Sequence, residues 1–480
     1  MFRDSIDRGQ LAFPADFILG AATAAYQIEG GASDDGRGPS IWDTFSHTAG
    51  KTAGGATGDV ATDHYHRAEA DLDLMASLNL DAYRFSISWP RVLPTGEGDI
   101  NQAGLAFYSR LVDGLLARGI KPIVTLNHWD LPQALEDRYG GWRGRETAFA
   151  FEKYVEIVGA ALGDRVAIWS THNEPWNNSF AGYGNGVFAP GVKCHADALK
   201  AAHHLNLAHG LAVAALRRAV SNADARISVV LNIFRVEPDT PEDAEAARRF
   251  DAVANRVFTG PMLRGEYPAD LLDDTRAFTD WNFVLPGDVE TCHQPIDLLG
   301  VNYYEVMHVR LNQNFDPATE SAGGTPFPGS ERIEFVRRVD LQRTAMDWGI
   351  EPRGLEDHLV ALSKEFPGLP IMVMENGAAF EDVVTEENGE RVVVDRDRTQ
   401  FLIDHVAATH RARERGANVI GYLAWSLLDN FEWAAGYGPR FGIIRVDYGT
   451  QERILKLSAH WLAQFCATKV IPVLVNRQVG

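Results

Sequence analysis

Two glutamates stand at positions where catalysis would need carboxylates. Glu174 lies in the segment STHNEP, and Glu375 lies in the segment VMENG. Each follows an apolar run that predicts a buried strand, and each is followed at once by residues typical of loops. A structural ion pair, for example with Arg84, would explain either glutamate alone. Two such carboxylates, at the ends of two strands of one fold, favour a catalytic pair.

A pair of carboxylates around a small cavity suits the hydrolysis of glycosidic bonds. One carboxyl must protonate the leaving oxygen, while the other meets the positive charge that develops at the anomeric carbon. Asn173, directly before Glu174, is placed to hydrogen-bond a sugar hydroxyl. Pro175 cannot continue the hydrogen-bond ladder of a strand and turns the chain away. The segment therefore predicts a strand end that presents an acid and an amide to a sugar.

Tryptophans and polar side chains occur together at the predicted strand ends. Sugars stack their C–H faces on indole rings and need fixed polar partners for their hydroxyls. Core packing is the alternative for any single tryptophan, but the pairs His128-Trp129 and Glu432-Trp433 argue for sugar binding. The tryptophans concerned are Trp42, Trp129, Trp142, Trp176, Trp348, Trp425 and Trp433, and the polar partners are Gln27, His128 and Glu432.

The elements that must position these residues follow one rhythm along the chain. Apolar runs alternate with amphipathic stretches, as expected for parallel strands that are covered on both faces. Eight such units predict a single (β/α)8 TIM barrel, an α/β fold with long loops at the C-terminal face of the strands. The predicted strands are 17–23, 82–88, 122–127, 167–173, 227–233, 298–304, 371–375 and 420–426. The predicted helices lie near 61–78, 102–118, 145–161, 196–219, 243–264, 354–366, 396–415 and 453–467.

Three long irregular segments follow strand ends, at 30–59, 175–193 and 305–353. A barrel of this kind builds its active site from such loops. No shift in composition marks a boundary, so residues 1–480 are expected to form one domain.

Composition excludes several classes of protein. The 480 residues include 45 Lys and Arg and 65 Asp and Glu, a net charge of −20, which disfavours nucleic-acid and membrane-surface binding. No apolar stretch approaches the roughly 18 residues of a membrane span. Three scattered cysteines and a charged, non-apolar N-terminus predict a cytoplasmic protein without a secretory signal.

Seven ordered motifs give the chain a resemblance to glycoside hydrolase family 1, the retaining β-glucosidase family. The resemblance runs from about residue 13 to residue 463. Its motifs are FPADF with YQIEG, YRFSISWPR, NHWD, NEP, GVNYY, ENG and WSLLDNFEW. Any one motif would be a weak signal, but seven in order are specific.

The resemblance implies a reaction and a set of roles. Glu375 matches the nucleophile and Glu174 the acid/base of a double displacement that releases terminal β-D-glucosyl residues, with side activity on galactosides and fucosides. The implied substrates are small β-glucosides or cello-oligosaccharides from cellulose breakdown, and no metal or organic cofactor is implied. Gln27, His128, Trp129, Asn173, Trp425, Glu432 and Trp433 match the glycone site, Arg84, Asn302 and Tyr304 the surroundings of the nucleophile, and Trp348 the leaving-group side.

This mechanism predicts geometry and charge. A retaining enzyme holds its two carboxyls about 5–5.5 Å apart, whereas about 6.5–9.5 Å would imply inversion. The negative charge of Glu375 should raise the pKa of Glu174. Arg84 and Tyr304 should keep Glu375 ionised.

The chain departs from the family at two positions next to the glutamates, with His172 before Asn173 and Met374 before Glu375. If strand alternation holds, both side chains point away from the adjacent glutamate. Glu432 would repel a phosphate and argues against 6-phosphosugar substrates, and AAG follows at residues 434–436.

Other readings of the sequence are a transglycosylase, a catalytically silent sugar-binding protein and a metal hydrolase. The first uses the same two glutamates with an acceptor other than water, and alcohol acceptors would distinguish it. The presence of both glutamates argues against the second, and the spacing of the segments DHYH and HH lacks the HExxH pattern of the third. The natural aglycone and the oligomeric state stay open, a homo-oligomer included.

Overall fold

The computed structural model describes residues 2–3, 11–387 and 389–474. Eight parallel strands form a closed barrel in which each strand pairs with its neighbours in chain order and the eighth pairs with the first. The strands are β1 (Ile18–Ala22), β2 (Ala82–Ser86), β3 (Lys121–Asn127), β4 (Ile168–Asn173), β5 (Arg226–Leu231), β6 (Leu298–Asn302), β7 (Ile371–Asn376) and β8 (Val419–Trp425). All eight predicted strands are therefore confirmed, with ends shifted by up to two residues.

A long helix follows each barrel strand, and the first seven of these helices lie in the crossovers that parallel neighbours need. They are α1 (His64–Ser77), α2 (Gln102–Ala117), α3 (Arg145–Leu162), α4 (His195–Ala219), α5 (Ala244–Asp251), α6 (Pro352–Glu365), α7 (Arg396–Glu414) and α8 (Leu457–Thr468). After α5 the chain continues through π-helical turns, Ala252–Arg256 and Gly260–Arg264, around the short helix Val257–Thr259. The predicted strand–helix alternation and the (β/α)8 barrel are thus confirmed.

The strands are apolar on both faces because each face packs against a different layer. One cluster draws side chains from all eight strands, among them Ile123, Ile168, Leu298, Met372 and Leu423, and fills the barrel interior. The intervening residues pack outward against the helices in a second cluster. Since the interior is packed, a ligand site is expected at the carboxyl ends of the strands.

In β4 and β7, the alternation of side chains between the barrel interior and the helix layer is interrupted directly before the glutamate. The pairing of β4 with β5 shifts register between Ser170 and Asn173, and that of β7 with β6 shifts between Val373 and Glu375. Such bulges re-aim side chains near active sites. His172 points outward and stacks on Phe151, with ring centroids 4.9 Å apart, as expected.

Met374 differs from the expectation. Met374 packs in the barrel-interior cluster, so Met374 and Glu375 do not point to opposite faces of β7. The register shift in β7 is the physical reason.

The segments expected to be irregular contain more secondary structure than the sequence indicated. Arg235–Pro238, Val306–Leu311 and Ile333–Phe335 form a small sheet above the barrel, with Val306–Leu311 in the centre. The antiparallel pairs Val384–Glu387 with Glu390–Val393, Ile444–Asp447 with Glu452–Leu455, and Phe2–Arg3 with Val473–Leu474 were also unexpected. Short α-helices occupy Ala25–Ile28, Ile41–Ser46, Trp89–Val92, Gln133–Tyr139, Ala269–Asp274 and Asp288–Cys292, and a π-helix occupies Asn177–Gly184. Single 3-10 turns occupy Asp34–Gly36, Ala53–Gly55, Gly141–Arg143, Pro241–Asp243, Pro317–Thr319, Ser330–Arg332 and Trp433–Ala435.

Two further expectations concern the chain as a whole. Within the described ranges, no helix is both long enough and apolar enough to cross a membrane. The three cysteines, Cys194, Cys292 and Cys466, are free thiols.

Candidate active site

The two glutamates meet at one cavity at the carboxyl ends of β4 and β7. The cavity has a volume of about 530 Å³, and both Glu174 and Glu375 line it. Glu174 has a left-handed backbone conformation, with φ of 44°. A non-glycine residue held in that region costs on the order of 1–3 kcal/mol and is retained mainly at functional sites. The fold therefore imposes a locally unfavourable backbone conformation on Glu174, and this conformation directs its carboxyl group.

A glycine allows the ends of β7 and β8 to approach each other. A Cβ atom on Gly377 would lie 1.6 Å from the carbonyl oxygen of Trp425. Only glycine fits so close to a neighbouring backbone. The glycine that follows Glu375 and Asn376 thus brings Trp425 beside Glu375.

Glu375 is held by a cation and a phenol. Nη1 of Arg84 lies 2.7 Å from Oε1 of Glu375, and the Tyr304 hydroxyl donates to Oε2 at 2.8 Å. Burial raises the pKa of Glu375, while Arg84 and then Tyr304 act to lower it. Both partners stabilise the carboxylate form, so Glu375 is the member of the pair that carries the negative charge.

Among the described residues, two neutral amides donate hydrogen bonds to the carboxyl of Glu174. Nδ2 of Asn302 donates to its Oε1 at 2.7 Å, and Nδ2 of Asn177 donates to its Oε2 at 2.5 Å. Burial, and then the charge of Glu375, raise the pKa of Glu174 to about 8. The expected effect of Glu375 is therefore present, but burial is the larger cause. The surroundings of Glu174 therefore favour its protonated form, whereas Arg84 and Tyr304 favour the carboxylate form of Glu375.

The side chain of Asn173 lies behind the lining of the cavity and forms hydrogen bonds with other residues of the site. Its Oδ1 accepts from Nη2 of Arg84 at 2.7 Å and from Asn302 at 3.0 Å. Its Nδ2 must then face His128, whose Nε2 lies 3.1 Å away and accepts the bond. Burial holds the pKa of His128 well below its usual range, so the ring is neutral and its proton sits on Nδ1. His128 thereby becomes a hydrogen-bond donor.

Several buried polar atoms around the inner cavity have no hydrogen-bond partner in the part of the chain that the structure describes. Leaving a buried polar group unpaired costs about 1–3 kcal/mol. Donors and acceptors fixed in this way fit a ligand rich in hydroxyl groups. The atoms are Oε1 of Gln27, Nδ1 of His128, Oδ1 of Asn302 and Oε2 of Glu432.

Gln27 lies behind the wall, and its amide donates to Asn430 at 3.0 Å and to the carbonyl of Phe431 at 2.9 Å. These bonds tie the end of β1 to the loop after β8. Glu432 stands in that loop, and burial followed by the charge of Glu375 raises its pKa to about 8. Burial therefore favours the protonated form of Glu432, which can both donate to and accept from a hydroxyl.

Aromatic rings form the remaining walls of the inner cavity. The His128 ring is nearly parallel to those of Trp425 and Trp433, with centroids 5.9 and 6.1 Å away. Trp129 packs on Trp433 at 4.5 Å, and Trp348 packs on Tyr304 at 5.2 Å.

The sequence-predicted residues thus converge, with a few exceptions. Arg84, Asn173 and Gln27 stand behind the lining rather than in it. Trp42 supports Trp433 from behind at 4.6 Å. Trp142 was expected near the sugar, but it is fully buried against Trp89 and Phe151, so core packing explains it.

Sequence reasoning missed two groups of residues. The first is Asn177, to which the sequence analysis gave no role, although its position three residues after Glu174 could have indicated a contact one turn away. The second group consists of apolar side chains on the outer cavity wall, Phe250, Phe327 and Phe335, which no motif marks.

The barrel and its buried carboxyl pair are those of a glycoside hydrolase, and comparison with known proteins agrees. The model of glycosyl hydrolase family 1 matches residues 10–471. The bifunctional β-D-glucosidase/β-D-fucosidase of Bifidobacterium breve is 49% identical over 463 residues, covering 95% of this chain and 98% of that protein.

Solved structures agree as well. The family 1 β-glucosidase from Thermotoga maritima matches with a TM-score of 0.89 at 42% identity, covering 96% of this chain and 99% of that one. A psychrophilic β-glucosidase from Micrococcus antarcticus matches with a TM-score of 0.89 at 47% identity, covering 95% of this chain and 98% of that one. The chain belongs to glycosyl hydrolase family 1, and the resemblance seen in its motifs is confirmed.

Proposed function

We propose that this enzyme releases terminal β-D-glucosyl residues from small β-glucosides with retention of configuration. One observation carries the proposal, namely the unequal surroundings of the two carboxyls. Glu375 has an arginine and a phenol that stabilise its charge, whereas Glu174 has two neutral amides and a raised pKa. A charged nucleophile beside a protonated acid is the starting state of a double displacement.

The reaction then proceeds in two balanced steps. In the first, a carboxylate oxygen of Glu375 forms a bond to the anomeric carbon, the bond to the leaving oxygen breaks, and Glu174 gives that oxygen its proton. In the second, water attacks the anomeric carbon, Glu174 takes a proton from it, and the bond to Glu375 breaks. Glu174 can act as a base in this step because the charge of Glu375, one cause of its raised pKa, has been consumed.

The glycone is proposed to be glucose, with galactosides and fucosides as weaker substrates. Relatives named as β-glucosidases support glucose, and the Bifidobacterium breve relative is named for fucosides as well. The buried atoms of His128, Asn302 and Glu432 that have no partner among the described residues line the cavity and would supply the hydrogen bonds that ring hydroxyls need.

Proton NMR of the first-formed sugar tests the proposal. During hydrolysis of an aryl β-D-glucoside, β-glucose should appear first and then mutarotate. Early α-glucose would mean inversion and would refute the mechanism. The same experiment on β-D-galactoside and β-D-fucoside substrates should give slower but measurable release.

Two wider expectations belong with this function. We propose that residues 1–480 fold as one unit and that the enzyme works in the cytoplasm, where the free thiols of Cys194, Cys292 and Cys466 would stay reduced. A single cooperative thermal transition and recovery in the cytosolic fraction would support them. Two separate transitions, or recovery outside the cytosol, would contradict them.

A further inference from the structure

A chain of hydrogen bonds runs behind the cavity from β8 through the end of β7 to the residue that follows β6. The Tyr422 hydroxyl donates to Oδ1 of Asn376 at 2.6 Å, and Nδ2 of Asn376 donates to the carbonyl oxygen of Tyr303 at 2.6 Å. Asn376 directly follows Glu375, and Tyr303 directly precedes Tyr304. The chain therefore joins the sequence neighbours of the two residues whose side chains meet in the bond from Tyr304 to Glu375.

The direction of both hydrogen bonds is fixed by the chemistry of the groups. A backbone carbonyl only accepts, so the Asn376 amide turns its NH2 group to Tyr303 and its oxygen to Tyr422. Burial raises the pKa of Tyr422, so its hydroxyl keeps the proton that it donates. Asn376 and Tyr422 are both fully buried and neither lines the cavity. Loss of either bond would therefore leave a polar atom unpaired inside the protein, which is unfavourable.

Tyr303 is held on each side of its own backbone. Its N–H donates to the carbonyl oxygen of Glu375 at 3.0 Å, and its hydroxyl donates to the carbonyl oxygen of Glu351 at 2.7 Å. The bond from Asn376 adds a third restraint, on the carbonyl of Tyr303. This carbonyl belongs to the peptide group that joins Tyr303 to Tyr304, so the bond fixes the plane from which the Tyr304 side chain projects.

The bond that depends on this plane is the one between Tyr304 and the nucleophile. The Tyr304 hydroxyl lies at the far end of its side chain and donates to Oε2 of Glu375 at 2.8 Å. A small rotation of the preceding peptide group moves that end farther than it moves the backbone. Hydrogen bonds weaken steeply when their angle falls below about 120°. Correct placement of the hydroxyl therefore requires a fixed peptide group before Tyr304.

We propose that Asn376 and Tyr422 are positioning residues for the nucleophile, because they hold the peptide group before Tyr304 and so keep its hydroxyl on Glu375. Neither residue touches the substrate, and both act through Tyr304. This inference rests on the proposed glucosidase activity and adds two residues outside the cavity to its machinery.

Removing one hydroxyl tests the proposal with little disturbance of packing. Tyr422→Phe leaves Oδ1 of Asn376 unpaired, so the amide is free to turn away from Tyr303. We expect kcat/KM for an aryl β-D-glucoside to fall about threefold to tenfold. The acid limb of kcat/KM should move to higher pH by about 0.5–1 unit, because a weaker bond from Tyr304 lets the pKa of Glu375 rise.

A second variant removes the amide itself. Asn376→Ala breaks both hydrogen bonds of the chain, so its effects on kcat/KM and on the acid limb should be at least as large as those of Tyr422→Phe. Adding Tyr422→Phe to Asn376→Ala should then change neither quantity further. Tyr422→Phe decides the test alone if Asn376→Ala does not fold.

A double-mutant cycle with Tyr304→Phe separates positioning from a general weakening of the fold. Once the Tyr304 hydroxyl is absent, Tyr422→Phe should leave the acid limb in place and change kcat/KM by less than about twofold. Tyr154→Phe is the matched control, because Tyr154 is equally buried and its hydroxyl donates to the backbone carbonyls of Ile87 and Leu126. The control also removes a buried hydrogen bond but should keep the wild-type acid limb.

Two kinds of failure can be told apart. If the wild type releases glucose but Tyr422→Phe does not move the acid limb, or moves it equally with and without the Tyr304 hydroxyl, the positioning proposal is wrong and the glucosidase function stands. An equal shift in Tyr154→Phe would also refute positioning. If the wild type releases no glucose from the aryl glucoside, both proposals are overturned.

Discussion

The hydrogen bond from Asn177 to Glu174 predicts a change in the pH dependence of catalysis. At 2.5 Å it is shorter than the 2.7 Å bond that Asn302 donates to the same carboxyl, which we propose to be the acid/base. A donor to a carboxylate stabilises the ionised form by about 1.5–3 kcal/mol, roughly twice the value for a neutral acceptor. Asn177→Ala therefore removes about 1 kcal/mol more from the ionised than from the protonated form of Glu174.

This difference raises the pKa of Glu174 by about 0.5–1 unit, since one unit corresponds to 1.36 kcal/mol. Glu174 must be protonated in the first step, and the alkaline limb of kcat/KM reports its pKa in the free enzyme. The limb should therefore move to higher pH by that amount. Asn177→Asp, which brings a negative charge close to Glu174, should move it further in the same direction.

Hydrolysis of an aryl β-D-glucoside between pH 5 and about pH 10 measures the limb. A 2,4-dinitrophenyl glucoside is the chemical control, because its leaving group needs no acid and its alkaline limb should be much weaker in every variant. Asn185→Ala is the matched variant, since Asn185 does not line the cavity. An unmoved limb in both Asn177 variants, or a shift to lower pH, would refute the reasoning.

Three further predictions follow from individual contacts. Tyr304→Phe should lower kcat/KM about tenfold to hundredfold and move the acid limb to higher pH, because the lost hydroxyl stabilises the Glu375 carboxylate; an unchanged rate would count against that role. Burial also raises the pKa of Glu432 to about 8, but Glu432→Gln should keep the alkaline limb of kcat/KM. Loss of that limb would assign the limb to Glu432 instead of Glu174. Lys456 is fully buried between Asp382 and Asp429, so Lys456→Met should lower the free energy of unfolding in urea by about 3–5 kcal/mol. The exposed ion pair of Lys153 provides its control, and equal effects of Lys456→Met and Lys153→Met would contradict the importance of burial.

The barrel was predictable because its strands are apolar on both faces. Each strand packs inward on the interior cluster and outward on helices, so a continuous apolar run marks it in the sequence. The carboxyl pair was predictable for the opposite reason, since Glu174 and Glu375 are charges directly after such runs. Their shared cavity follows from the rule that parallel strands present their carboxyl ends on one face.

The remaining features depend on contacts between distant parts of the chain. The register shifts before Glu174 and Glu375 arise from pairing with β5 and β6, and no local pattern announces them. The small sheet above the barrel has short, partly polar strands, which resemble loops in sequence. Trp142 and Trp348 have the same residue type, yet one packs in the core and the other lines the cavity. Position in the fold decides between the two roles.

The most direct test of the central claim is chemical rescue of Glu375→Gly. We expect this variant to be inactive on an aryl β-D-glucoside and to regain turnover with azide, giving the α-glucosyl azide because azide attacks from the face that Glu375 occupies. Glu174→Gly with azide should instead give the β-glucosyl azide, which assigns the acid/base. Appreciable activity of Glu375→Gly without an added anion, or a β-azide product from it, would show that Glu375 is not the nucleophile.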